Sequence, residues 1–430
     1  MPPNDQPSLQ RRLGTADAVV LGLAAMLGTG VYAVWSPAAA AAGPWLLLSV
    51  VLAAVVAACN AGSTADLAVA HPESGGGYVY GRARLGPAAG RLAGVAFLVG
   101  KSASAAAAAV VFGEYVLPAS PVWIAVAVVV AVTALNVAGV QWTARGAWAL
   151  VGGTLAVLLV VIAMGLLGGR TGEAASAASA LAPVEPMGPM PGGVLGVLTA
   201  AGLVFFAFAG YARIATLGEE VRDPERTLRR AIMIALSVAL VTYLLVAAAL
   251  LVGLGAERLA EERSPLATLV GMTAPALGVL VRVGAAVASG SALLSVLVGI
   301  SRMTLAMARR GELPRPLATV GARGTPWRAD LAAGAVAVVL AVLAGPVAAI
   351  ALSACSVLVY YAVVNLAALR LAPGQRQWPE WTSWLGLVLC LGLAVLLPAR
   401  QVLITAAALV VGWILCTLHA RRGEEPRESG

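Results

Sequence analysis

The stretch AVVLGLAAMLGTGVYAVWSPAA, Ala18 to Ala39, is apolar throughout yet carries Gly28-Thr29-Gly30 at its middle. A helix crosses the hydrocarbon core with about 20 apolar residues. Glycine inside a helix costs about 1 kcal/mol relative to alanine, so two glycines within three residues predict an interrupted membrane helix. A second stretch, GLVFFAFAGYARIATLGEE from Gly202, is interrupted at comparable depth by Gly210. The two breaks are five spans apart, and an odd offset turns the second half upside down in the membrane. Paired interrupted spans in the two halves are the pattern of an inverted repeat with a binding site at the breaks.

Composition agrees with a membrane reading and excludes a soluble enzyme. Of 430 residues, 60% are hydrophobic and only 11% charged, against about 25% charged in soluble domains. Mean hydropathy is +0.91. The 48 glycines and 24 prolines are tolerable in a bundle whose neighbouring helices satisfy the freed backbone groups. The net charge of +8 comes mainly from arginines in short loops, which argues against a nucleic-acid partner and for topology determinants. Cys59, Cys355, Cys390 and Cys416 all lie in apolar stretches, and with two histidines no metal or disulfide spacing arises. The polar first ten residues lack a cleavable signal pattern.

Twelve apolar spans are predicted, near 15–41, 45–70, 88–117, 121–138, 146–168, 192–217, 229–254, 277–306, 329–345, 347–370, 381–397 and 401–419. With both termini cytoplasmic, twenty arginines fall in inner segments and four (Arg170, Arg258, Arg263, Arg400) in outer ones. Inserting or deleting one span would scramble that bias. The expected fold is an all-α polytopic membrane protein with a 5+5 inverted repeat, broken helices 1 and 6, and two extra helices. Repeat one covers about 15–168, repeat two about 192–370 and the extra helices 381–419. Residues 1–420 then form a single transporter domain, and 421–430 a charged, disordered cytoplasmic tail.

A break in the bilayer exposes backbone groups that must be satisfied. Amides opening the half-helix after Gly28 suit a carboxylate, and the carbonyls around Ala25, Met26, Phe206 and Ala207 suit an ammonium group. A zwitterionic amino acid matches both poles. The alternative is that these glycines serve close helix packing. The carboxylate reading predicts that Gly30→Val abolishes binding, because its side chain would crowd the carboxylate.

These residues resemble the amino acid–polyamine–organocation (APC) superfamily of transporters, over nearly the whole chain. GTGVY (Gly28 to Tyr32) is similar to the family's G-[ST]-G-[IV]-[FY] motif, and ADLAVAHPESGGGYVY from Ala65 to its Y-A-E-L-A…P-x-S-G-G-x-Y motif, with Asp66 for the usual Glu. FFAFAGYARIATLGEEVRDPERTLRRAI from Phe205 and SRMTLAMARRGELPR from Ser301 resemble two further stretches. The resemblance implies that the substrate carboxylate meets amides of Thr29 and Gly30. It assigns the amino group to carbonyls of Met26, Phe206, Ala207 and Ala209, beside Gly210, with Phe206 as an aromatic gate. A lining without an evident carboxylate favours small or neutral amino acids.

Four basic residues lie inside spans: Lys101, Arg213, Arg282 and Arg302. Lys101 stands ten residues into its span, about 15 Å along a helix. It is either a proton carrier or a charged structural residue bonded to carbonyls. Arg213 follows the second break and has three possible roles: lining the inner vestibule, meeting a substrate carboxylate, or pairing with Asp17 or Asp66. Proton-coupled relatives place a lysine where Thr154 stands, and Thr154 with Ser291 or Ser295 alternatively offers hydroxyls for Na⁺. Glu114, near the outer end of its span, is expected to be solvated. No HExxH, GxSxG or paired histidines exist, so neither catalytic residues, nor a cofactor, nor a bound metal is expected. The expected function is secondary amino-acid transport by alternating access in the cell membrane, with protons as a candidate coupling ion. Exchange, polyamine or organic-amine transport, and a non-transporting amino-acid sensor are the alternatives. The expected partners are a small-molecule amino acid and the lipid bilayer. The oligomeric state is left open.

Overall fold

A computed structural model describes residues 14–71, 73, 75–139, 144–167, 192–215, 221, 223–321 and 323–424. Its helices in chain order are α1 (Thr15–Met26), α2 (Gly30–Ala33), α3 (Trp35–Ala42), α4 (Leu46–Ala70), α5 (Gly77–Leu85), α6 (Pro87–Val116), α7 (Pro121–Val137), α8 (Ala144–Leu167) and α9 (Gly193–Phe208). They continue with α10 (Ala212–Ala215), α11 (Pro224–Leu254), α12 (Ala256–Glu261), α13 (Pro265–Gly271), α14 (Pro275–Arg309), α15 (Trp327–Leu343), α16 (Pro346–Ala368), α17 (Glu380–Leu396) and α18 (Ala399–Glu424). Proline opens α6, α7, α11, α13, α14 and α16, where its missing N–H is one the helix would leave unpaired.

Among the described residues, nine helical spans are long and apolar enough to cross a membrane. The apolar helices α7, α15 and α17 are shorter, each of 17 residues, or about 26 Å. Each helix boundary falls within a few residues of the predicted span. The structure adds short helices that the hydropathy reading does not predict: α5 in the 71–87 connection, and α12 and α13 in the 255–276 connection. It also carries α18 on to Glu424, past Arg421 where the disordered tail was expected to start. The 169–191 connection, Arg11, Arg12, Glu219 and Glu220 lie outside the described residues.

The interior is built around α6 and α16. Of the residues from Ser102 to Ala109 only Ser104 is not buried, and side chains this small let α14 and α16 approach α6 closely. α16 is the most enclosed span, with 83% of its most apolar window buried, and α18 the least at 17%. α17 packs against a polar cluster shared by α4 and α16. Asn365 of α16 donates to the Asn60 side-chain oxygen of α4 at 2.6 Å, and Ser63 of α4 bonds to Asn365 at 2.7 Å and to Ser383 of α17 at 2.9 Å. Such buried bonds tie helices together where lipid supplies no hydrophobic drive.

Candidate functional site

The first break falls where the sequence places it. α1 ends at Met26, residues 27–29 turn, and α2 resumes at Gly30. The second interrupted stretch does not unwind to the same degree: α9 tightens into a 3₁₀ turn over Ala209–Tyr211, with Gly210 at its centre, before α10. The two breaks meet reciprocally. A Cβ on Gly30 would stand 2.5 Å from the Ala207 Cα, and one on Gly210 would stand 2.5 Å from the Ala25 carbonyl carbon. Each half thus presses a glycine onto the last helical turn of the other. Gly28 faces α14 instead, towards Ala292. The first obstacle to a side chain at Gly30 is therefore the backbone of α9, and the packing role considered for these glycines is real.

Two of the carbonyls assigned to an ammonium group are engaged within the protein. The Tyr243 hydroxyl of α11 donates to the Met26 carbonyl at 2.6 Å and lies 3.1 Å from the Ala207 carbonyl. Its ring is wedged edge-on between Trp35, at 6.0 Å, and Phe208, at 4.8 Å. One phenol thereby joins the carbonyl ends of both broken helices. The sequence reading missed Tyr243, although a tyrosine in the middle of an apolar span must find a partner for its hydroxyl. Other hydroxyls here lack one. The Thr29 Oγ1, the Tyr32 hydroxyl and the Ser289 Oγ are buried without a hydrogen-bond partner among the described residues. Each such group costs about 1–3 kcal/mol, which a polar ligand or water at the site would recover.

The remaining predicted residues spread outwards. Phe206 is partly exposed, whereas its neighbours Phe205 and Phe208 are fully buried. Ala207 and Ala209 are buried. Lys101 lies on α6, half-buried, and forms no salt bridge among the described residues. Arg213 is exposed on α10. The carboxylates suggested for it have other bonds: Asp17 accepts from the Gly14 N–H and the Trp148 indole, and Asp66 accepts from the Trp378 N–H. Of the hydroxyls considered for Na⁺, Thr154 and Ser291 are buried while Ser295 is exposed. Glu114 is buried rather than solvated, with Arg263 of the 255–276 connection near it. No group of three or more His, Cys, Asp or Glu that could hold a metal occurs among the described residues.

A second polar centre lies between α5, α6 and the turn after α14, and it joins two stretches of the resemblance that are far apart in sequence. Glu312, 1% exposed, accepts from the Tyr78 hydroxyl at 2.7 Å, pairs with Arg82, and has Arg91 at 3.7 Å. Burial, and then the bond to Glu312, hold the Tyr78 hydroxyl well above the usual tyrosine range. Arg310 lies over the Tyr78 ring at 5.6 Å, and the Gly77 N–H donates to the Tyr360 hydroxyl of α16 at 2.7 Å. At the end of α4, His71 accepts from the Arg84 guanidinium at 2.8 Å. Burial, and then the Arg84 charge, lower the affinity of that imidazole for a proton.

Comparison with known proteins agrees with this architecture. The sequence profile of the amino acid permease family matches residues 13–418. An uncharacterized transporter of Mycobacterium tuberculosis is 49% identical over 413 residues, 95% of this chain and 92% of that protein. A branched-chain amino acid permease of Bacillus subtilis is 28% identical over 344 residues, 73% of this chain and 70% of its own. A methylthioribose transporter of the same organism is 27% identical over 355 residues, 77% and 74% of the two chains. The chain belongs to the amino acid permease family of the APC superfamily. It is a multi-pass membrane transporter, and the family's members are transporters rather than enzymes.

Proposed function

We propose that this amino acid permease is a secondary transporter of small or neutral amino acids in the cell membrane, working by alternating access around its two broken helices. In this reading all twelve predicted spans cross the bilayer, both termini are cytoplasmic, α1 to α8 and α9 to α16 are inverted repeats, and α17 and α18 are additions outside them. The substrate carboxylate meets the turn at Gly28, Thr29 and Gly30. Its ammonium group competes with the Tyr243 hydroxyl for the carbonyls of Met26 and Ala207, with Phe206, Ala209 and Gly210 completing the lining and Phe206 closing it. Lys101 is the proton-carrying candidate, with Thr154 and Arg213 as further coupling or gating positions.

The observation that carries this reading is the buried Thr29 hydroxyl without a partner, at a break whose carbonyls are already bonded across to the other half. A break that served packing alone has no use for an unpaired hydroxyl. The reciprocal glycine contacts support the repeat, since each half contributes the same element to the other.

Uptake into proteoliposomes tests the proposal, using labelled leucine, alanine, lysine, putrescine and methylthioribose with and without an inward proton gradient. Gradient-stimulated uptake of the neutral amino acids is the expected result. Uptake that requires amino acid inside would replace symport by exchange. Preference for putrescine or methylthioribose would overturn the substrate class, and binding without uptake of any compound would leave a sensor.

A further inference from the structure

α11 begins on a basic edge. Arg226, Arg229 and Arg230 stand one turn apart on one side of the helix, and together with Met233, Ile234 and Gln377 they line an open cleft of about 530 Å³. The same side stays exposed along the helix through Met233, Ile234, Val241, Leu245 and Val252. From Arg230 to Val252 that stripe runs about 33 Å at 1.5 Å per residue, the thickness of a hydrocarbon core. Exposed apolar residues of this length on a membrane span face acyl chains, so the arginines stand where the chains meet their headgroups.

The charges around the cleft do not cancel. Arg226 has Asp223 at 3.9 Å, with both side chains largely exposed, a pairing of little strength in water. Arg229 lies 5.8 Å over the Trp378 ring and near the Asp66 carboxylate. That carboxylate, which also has Arg376 near it, accepts backbone N–H bonds from Gln377 and Trp378. Arg230 forms no salt bridge among the described residues. Among the described residues, three guanidinium groups stand against two acids, one of them buried behind Trp378, which leaves a positive cleft opening onto an apolar stripe. Guanidinium binds phosphate in a planar, two-point fashion, and a positive cleft favours an anionic headgroup over a zwitterionic one, whose own cation offsets its phosphate.

We infer that the α11 arginine cleft is a binding site for an anionic phospholipid, its phosphate held by Arg226, Arg229 and Arg230 and an acyl chain lying along Met233, Ile234, Val241 and Leu245. The assignment of the cleft to the cytoplasmic leaflet rests on the proposed topology; the lipid contact rests only on the helix crossing the membrane. The site lies away from the paired breaks, so its occupancy is measurable without transport.

Native mass spectrometry of the full-length protein tests it, after incubation in mixed micelles with phosphatidylglycerol or phosphatidylcholine. Wild type is expected to retain phosphatidylglycerol in preference to phosphatidylcholine. Each arginine near an anionic surface contributes about 1 kcal/mol, so retention should weaken roughly fivefold for each of R229Q and R230Q, and be lost in the triple glutamine variant. R315Q, on an exposed turn elsewhere, should keep it. These side chains are exposed, and R230Q alone suffices should the triple variant be unstable. Equal retention of the two lipids by wild type, or full retention by R230Q and R229Q, would overturn the site. Displacement of the lipid by millimolar inorganic phosphate would identify a free-anion site and overturn the lipid assignment.

Discussion

The two polar centres of this permease are held by opposite rules. Around Glu312 a buried carboxylate has Tyr78, Arg82 and Arg91 about it, and of these three the carboxylate binds Tyr78 and Arg82 directly, while the Arg91 Nε has no hydrogen-bond partner among the described residues. Around the breaks, one phenol shares its proton between two carbonyls while three hydroxyls, of Thr29, Tyr32 and Ser289, stay unpaired among the described residues. A satisfied buried network fixes one arrangement of its helices, whereas unpaired buried groups are costly unless something else completes them. The first centre therefore reads as scaffold and the second as a site that exchanges partners.

This contrast can be broken by substitution, and the largest effect belongs to the scaffold. Glu312→Ala strands Arg82 and the Tyr78 hydroxyl, and removing one member of a buried pair costs about 3–5 kcal/mol. Thermal unfolding of the detergent-purified protein should fall accordingly. An unfolding temperature like that of wild type would show the network to be dispensable.

Gly210→Val comes next. Its Cβ would stand 2.5 Å from the Ala25 carbonyl carbon, and because backbone cannot step aside as a side chain can, overpacking should cost about 1–3 kcal/mol. Uptake should be lost as the two breaks are forced apart, and normal uptake would mean that they need not touch. Tyr243→Phe keeps the ring between Trp35 and Phe208 but frees two carbonyls, at about 1–2 kcal/mol. It should alter substrate affinity more than stability, read by uptake kinetics against unfolding. A change in stability alone would return Tyr243 to the scaffold.

The smallest effect lies at His71. Its folded-state proton affinity is lowered by burial and by Arg84, so the imidazole favours being neutral in the folded protein. The contribution is complete above the unfolded value of about 6.5 and is lost as pH falls below it, when only the unfolded state readily binds the proton. The unfolding temperature should decline slightly between pH 7 and pH 5.5, and His71→Gln should flatten that decline. An identical decline in the variant would assign it to other groups.

Much of the fold was legible because hydropathy and helix length are set locally: the predicted spans and the helices agree within a few residues even where proline or glycine sets the boundary. Gly28–Gly30 and Gly210 announced the breaks for the same reason. Partnership was not legible, because it depends on which helices become neighbours. Nothing in the sequence around Tyr243 tells that its hydroxyl reaches Met26 on α1 and Ala207 on α9. The burial of Glu114 depends likewise on which elements close around the end of α6. The α17 packing around Asn60 and Asn365 has no hydropathy signature either, since isolated amides hardly change the mean of an apolar span.

The central claim is that the breaks bind substrate through groups they leave unpaired. It is tested most directly by Thr29→Val, which exchanges the unpaired hydroxyl for a methyl of the same size. Equilibrium binding of the best-transported amino acid should be measured beside thermal unfolding on the same preparations. The account predicts unchanged or slightly higher stability, since no bond is lost, with affinity reduced about tenfold or more, as for a lost hydrogen bond to a charged group. Unchanged affinity would contradict it and leave the break to packing alone.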